Sequence, residues 1–142
     1  MLKVGNILFD NTKLLLAPMD DISDFSFRSI CKELGADITI SEFVASDALI
    51  RNVEKTKRKM LFSEKERPFG IQIFGNNKEN MCTAAKIVET YQPDFIDINW
   101  GCPAKKVVRS GHGSSLIISE NTAFDIVKAL DEATPLPVSV KT

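Results

Sequence analysis

Short apolar, β-branched runs alternate along this chain with longer stretches whose apolar residues recur at helical spacing. Leu14-Leu15-Leu16-Ala17, Asp37-Ile38-Thr39-Ile40, Phe69 to Phe74, Asp94 to Ile98 and Pro137 to Val140 read as five strands. Ser23 to Leu34 predicts a helix with Phe27, Ile30, Cys31 and Leu34 on one face, Ser23 as its N-cap and Gly35 as its stop. A second helix starts at Asn76, where Glu79 three residues on suggests a capping box, and lines one face with Met81, Ala84, Ala85 and Val88. A third runs from about Ser119 through the apolar Phe124, Ile126, Val127 and Leu130, and ends before Pro135 and Pro137. Residues 45–60 also read as helical, but carry a high density of charge.

Strand–helix alternation implies a parallel sheet covered by helices. An open doubly wound sheet would carry a glycine-rich turn after its first strand, where this chain has Ala17-Pro18-Met19-Asp20-Asp21. The expected fold class is therefore α/β, of the TIM (β/α)8-barrel type. The first and fifth strands are four units apart at about 31 residues each, and eight such units need about 250 residues. With 142 residues, the chain reads as such a barrel truncated to about its first five strands, and its open edge invites self-association.

Composition narrows the function class. A chain that is 44% hydrophobic and 26% charged is neither disordered nor fibrous. A net charge of −1 argues against coating nucleic acid by bulk electrostatics. It leaves a local basic stretch from Arg51 to Lys59, read as a solvated helix face. The longest apolar run, Leu14 to Met19, falls far short of the roughly 18 to 20 residues of a membrane span, and no signal segment opens the chain. Three cysteines without a Cys-x-x-Cys pair, and one histidine, give neither a disulfide framework nor a zinc pattern. The expectation is a cytoplasmic protein with no metal and no membrane partner.

In a barrel the residues that follow each strand form the catalytic face. Here they are Pro18-Met19-Asp20, Ser41-Glu42, Gln72 to Gly75, Asn99 to Pro103 and Lys141-Thr142. A free cysteine is most often a small buried apolar residue, and Cys31 and Cys82 are read that way. Cys102 differs: it follows a strand between Gly101 and Pro103, with Lys105, Lys106 and Arg109 close behind, and is the candidate catalytic thiol. Gln72 sits in an otherwise apolar strand and needs a partner, and its amide can donate and accept together, as the edge of a heterocycle requires. Lys141 offers a cation to an anionic group in the barrel mouth. Gly111-His112-Gly113-Ser114-Ser115 lacks a phosphate-loop lysine and reads as a flexible turn, with His112 a loop residue.

The run Ile96-Asp97-Ile98-Asn99-Trp100-Gly101-Cys102-Pro103, with Val107 and Gly113-Ser114 behind it, resembles the signature of the tRNA-dihydrouridine synthases. Ala17-Pro18-Met19, Ser41-Glu42, Gln72 and Val140-Lys141-Thr142 agree with it in order and spacing, so the likeness runs through nearly the whole chain. It implies an FMN oxidoreductase whose N-terminal TIM barrel is followed by a helical domain that grips tRNA. Residues 1–142 would be the N-terminal portion of the barrel, with the rest of the barrel and the helical domain absent. In that family NADPH (or NADH) reduces FMN, hydride passes to C6 of a uracil flipped out of tRNA, and a cysteine protonates C5. Carried over, Cys102 is that acid. Pro18, Met19 and Asp20 contact the flavin, Gln72 and Lys141 bond its pyrimidine edge, and Asn99 lies beside flavin and uracil. Lys105, Lys106 and Arg109 are candidate tRNA phosphate contacts, as is the 51–59 stretch.

Asp20 adds a carboxylate where the pattern has a smaller or neutral residue, Ser114-Ser115 is more polar than the pattern, and strands six to eight are missing. Two other readings stand beside this one. One is an FMN barrel acting on a free pyrimidine, like a dihydroorotate or dihydropyrimidine dehydrogenase, which the turn from Asn99 to Val107 fits less well. The other is an inactive, purely RNA-binding fragment.

Overall fold

The computed structural model describes residues 2–5, 7–9 and 13–142, apart from the side chains of Leu2, Val4, Phe9 and Lys106. Its centre is a parallel sheet built from β3 (Leu15–Leu16), β4 (Ile38–Ile40), β6 (Phe69–Phe74), β7 (Phe95–Asn99) and β8 (Val138–Lys141), in that spatial order. Helices α1 (Phe25–Glu33), α4 (Lys78–Glu89) and α6 (Glu120–Ala133) connect successive strands, with the shorter α2 (Ser46–Ile50), α3 (Glu54–Lys59) and α5 (Lys105–Arg109) at the loops. All five expected strands are present, in the parallel half-barrel arrangement their alternation predicts.

The sheet has two chemically distinct faces, because successive side chains of a strand point to opposite sides. Ile71, Ile73, Ile96 and Ile98 pack outward against Met81, Ala84, Ala85 and Val88 of α4 and Ile126 and Leu130 of α6, all fully buried. Each isoleucine, leucine, valine or methionine of this layer contributes about 1.5–3 kcal/mol through burial. On the other face Ile38, Ile40 and Phe95 form a small inner cluster. Gly70 is required there: a Cβ on it would stand 2.4 Å from the Phe95 ring.

A hairpin of β1 (Leu2–Val4) and β2 (Ile7–Phe9) packs Ile7 against this inner cluster. Its signal in the sequence is short: alternating Leu2, Val4 and Ile7, Phe9 around Gly5, which adopts φ +57°. A further short strand, β5 (Val44–Ala45), also pairs with β6. Ile40 pairs with Gly70 but Val44 with Ile73, so the chain at Ser41–Phe43 holds one residue more than its partner. This bulge turns Ser41 so that its Oγ accepts from the backbone N–H of Gln72, 3.0 Å away.

The helices differ from expectation in several ways. Helix α1 is capped by Asp24, whose carboxylate accepts from the Phe27 N–H. Ser23 is engaged elsewhere: its Oγ accepts from the Met19 N–H and donates to the Met19 carbonyl. The apolar face of α1 is only partly buried: Phe27 and Cys31 are half-buried, while Ile30 and Leu34 are 57% and 82% exposed, α1 packing on β4 and the turn at Glu64–Glu66. Its one buried residue is Arg28, whose guanidinium meets Glu66 at 2.7 Å and donates to the carbonyls of Ser23 and Leu61. Second, α4 is capped by Asn77 rather than Asn76. Third, residues 45–60 form two helices, broken where Asn52 takes a left-handed φ of +60°. Phe124 on α6 is exposed, while Ile126 and Leu130 are buried as their spacing predicts.

Candidate active site at the strand ends

The inner face carries polar groups toward the C-terminal ends of its strands. Alternation from Phe95 places Asp97 and Asn99 on the same face as Gln72, opposite the isoleucines. Pairing sets Gln72 directly across from Asp97, Asp97 across from Ser139, and Asn99 across from Lys141. Gln72, Asp97 and Asn99 are all buried. Gln72 Nε2 donates to Asp97 Oδ2 at 2.6 Å, and Asn99 Nδ2 donates to Gln72 Oε1 at 3.0 Å. Ser139 Oγ donates to Asp97 Oδ1 at 2.6 Å. Burial pushes the Asp97 carboxyl above its ordinary range, opposed by the hydrogen bonds from Ser139 and Gln72 and by the charge of Lys141.

The partner that Gln72 needs is thus Asp97, which the sequence reading passed over. Its signal was available: a carboxylate in a strand flanked by Ile96 and Ile98 must be buried with them.

Cys102 follows in the loop after β7, half-buried. Its N–H and that of Gly101 both donate to Asn99 Oδ1 at 3.1 Å. Its carbonyl accepts from the Ser114 N–H at 3.2 Å. Gly113, at φ +62°, lies so close that a Cβ would be 2.7 Å from the Cys102 oxygen. The 111–115 segment is therefore not a flexible turn: Gly113 begins a 3-10 turn that backs the thiol-bearing loop. Cys31 and Cys82 are also half-buried, and Cys82 Sγ lies 3.5 Å from the Ala129 carbonyl oxygen as a weak donor.

Pro18, Met19 and Asp20 occupy the loop after β3, closed on itself by Ser23. The added carboxylate of Asp20 is met by Lys59, which also lies 3.7 Å from Glu42 and sits above the Phe43 ring. Lys59 is therefore drawn out of the solvated basic face expected for residues 51–59. The carboxylates of Asp20, Asp21 and Glu42 lie within 4.8 Å of one another, and Glu42 also accepts from the Asp21 N–H. Lys105 and Arg109 are exposed on α5; the side chain of Lys106 lies outside the described residues. Above the strand ends, Phe43, Phe74, Ala104, Val107 and His112 line a cavity of about 450 Å³. Phe74 meets Phe43 and His112 edge-on.

A buried amide pair, a thiol and an ammonium on adjacent strand ends can hold a flat heterocycle by its hydrogen-bonding edge and move a proton beside it. Among the described residues, no helix is long and apolar enough to cross a membrane.

Residues 15–142 match the family described as Dihydrouridine synthase (Dus). The chain is 38% identical over 128 residues to tRNA-dihydrouridine synthase B of Pseudomonas syringae, covering 90% of this chain and 38% of that protein. It is 37% identical over 142 residues to a probable tRNA-dihydrouridine synthase of Rickettsia prowazekii, covering 99% and 43%. A probable tRNA-dihydrouridine synthase of Treponema pallidum is 38% identical over 143 residues, covering 96% and 40%. The chain spans about two fifths of the length of these relatives.

Proposed function

The chain belongs to the dihydrouridine synthase family, and from that membership we propose that it forms the strand-end part of a site that reduces uridine in tRNA to 5,6-dihydrouridine. The observation that carries this reading is the Cys102 turn, anchored through Asn99 to the buried amide of Gln72 at the mouth of the half-barrel.

FMN, reduced by NADPH or NADH, would supply the hydride that the uracil takes at C6. The donor set fits such a group: beyond the bonds to each other, to Asp97 and to the Cys102 turn, Gln72 keeps one N–H and one lone pair and Asn99 one N–H, and Lys141 adds a cation that offsets negative charge on a reduced ring. Gln72 and Lys141 would hold its pyrimidine edge, with Asn99 beside the ring and the uracil. Pro18, Met19 and Asp20 would bound it from the first barrel strand, with the Asp20 charge already balanced by Lys59. Cys102 holds a proton at Sγ and delivers it to C5 of the uracil, the carbon left electron-rich by hydride addition, and so lowers the barrier as a positioned acid. The target base must leave its stack to reach the thiol. Exposed Lys105 and Arg109, with Lys106, are the proposed phosphate contacts. The half-buried, unbridged thiols agree with a cytoplasmic setting. The uncovered Ile30 and Leu34 of α1 agree with an apolar edge that a further element or a second copy covers.

The test is turnover of unmodified tRNA with FMN and NADPH, read by mass spectrometry as a gain of two hydrogens on a uridine. Cys102→Ala is expected to lower product formation by about 10²-fold or more, the scale of general-acid catalysis, with NADPH oxidation retained. Turnover of free uracil or orotate but not of tRNA would show an enzyme of free pyrimidines instead.

A further inference from the structure

The hydrogen bonds between the Cys102 turn and Asp97 have a direction. At one end, the backbone N–H groups of Gly101 and Cys102 can only donate, and they meet Asn99 Oδ1. At the other end, an ionised carboxylate can only accept, and Asp97 Oδ2 meets Gln72 Nε2 at 2.6 Å. The middle bond, Asn99 Nδ2 to Gln72 Oε1 at 3.0 Å, is the one arrangement consistent with both ends. Flip either amide alone and two donors or two acceptors face each other. Gln72, Asp97 and Asn99 are 0%, 3% and 8% exposed, so water does not replace a broken link. Ser41 and Ser139 hold the relay in place, Ser41 by accepting from the Gln72 N–H and Ser139 by donating to the second Asp97 oxygen.

We propose that Asp97 is the positioning residue for Cys102, acting through Gln72 and Asn99 to fix the polarity of the relay that anchors the thiol-bearing turn. The proposal rests on the function above only for the task it gives Cys102; the relay itself is defined by the resting protein. The side-chain hydrogen bonds of Asp97 go to Gln72 and Ser139, not to Cys102. Its carboxylate imposes one orientation on two amides that would otherwise be free to turn, and thereby keeps an acceptor aimed at the Cys102 N–H.

Amide hydrogen exchange on the full chain tests this without substrate. In Asp97→Asn, an isosteric side chain that can face either way, the Gly101 and Cys102 amides are expected to exchange roughly fivefold faster or more, as for loss of an ordinary hydrogen bond. The ladder amides of Ile96 and Ile98 keep their rates. The double variant Asp97→Asn with Asn99→Asp moves the charge to the other end. The carboxylate at 99 then accepts from Gly101, Cys102 and a turned Gln72 Nε2, while Gln72 Oε1 accepts from the amide at 97. Slow exchange at Gly101 and Cys102 returns.

Parent-like rates in the single variant would overturn the proposal, as would equal acceleration throughout β6 and β7 or a double variant that does not restore the turn. If the single variant fails to fold, recovery in the double variant supports the relay, and failure of both overturns it. In the tRNA assay, kcat of Asp97→Asn falls roughly tenfold or more with KM for tRNA unchanged, the cost of a misplaced catalytic group. Unchanged kcat beside accelerated exchange removes the link to Cys102 chemistry. A parent protein with no tRNA activity would sink the proposed function and leave the exchange result standing.

Discussion

The two faces of the parallel sheet use the same strands for opposite ends. Outward, Ile71, Ile73, Ile96 and Ile98 meet apolar residues of α4 and α6 in a fully buried layer. Inward, one residue out of phase, Gln72, Asp97 and Asn99 are nearly as buried but polar, and each is matched to a named partner. Outward burial supplies stability through apolar area; inward burial costs desolvation that hydrogen bonds must offset. The inward face is thus specific rather than strong, and its arrangement ends at a thiol.

The sharpest way to break the comparison is to truncate the outer face. Ile98→Ala removes a fully buried side chain between two residues of the relay and should destabilise the protein by about 2–5 kcal/mol. Urea unfolding measures the loss. The fraction that remains folded should keep the slow exchange of the Cys102 amide, since no bond of the relay involves the Ile98 side chain. Loss of turn protection together with stability would mean that the two faces are one mechanical unit.

A smaller effect distinguishes the faces by pH. Burial raises the Asp97 carboxyl in the folded protein. The native state then binds more protons than the unfolded chain, so stability falls as pH rises from the ordinary carboxylate range through the raised folded value. Half-buried Asp37 and exposed Glu54 and Glu64 are lowered, by the Leu14 N–H and Lys13, by Lys57 and by Arg67 respectively. Their contribution has the opposite sign and is lost only in more acid solution. Asp97→Asn should therefore flatten the decline above the carboxylate range, so that its stability relative to the parent improves with pH and then levels off. Unfolding curves across mildly acid to neutral pH read this slope. Parallel curves for the two proteins would show that Asp97 is not the group responsible.

The sequence disclosed the outer face better than the inner one, for physical reasons. Helix period and β-branched runs report burial directly, and Met81, Ala84, Ala85 and Val88 are all buried as their spacing predicts. Gln72 was legible as a polar residue in need of a partner, but naming that partner takes the register of β6 against β7, which no single strand carries. The bulge at Ser41–Phe43 depends on a neighbouring strand in the same way. Ser23 read as a helix cap because its type fits; the competing bonds to Met19 belong to a loop closure that composition does not encode. Arg28 shows the limit of hydrophobic pattern. Ile30 and Leu34 stay exposed, while a guanidinium occupies the interior because Glu66 and two carbonyls satisfy it.

The smallest effect lies where the two faces meet. Trp100 follows Asn99, so its ring turns outward and packs against the isoleucine layer while its backbone continues into the Cys102 turn. Among the described residues its indole Nε1 is a buried donor without a partner. An unsatisfied buried donor costs about 1–3 kcal/mol. Trp100→Phe removes that cost and gives up part of the ring's apolar contact, a loss of about 1–2 kcal/mol. The two terms oppose each other, and urea unfolding should place the variant between about 1 kcal/mol less and about 2 kcal/mol more stable than the parent. Exchange at Gly101 and Cys102 should not change, because their bonds to Asn99 remain. A loss well above that range would assign the indole N–H a partner in solution. Faster exchange at the turn would make the outward ring, and not only the inward relay, a support of Cys102.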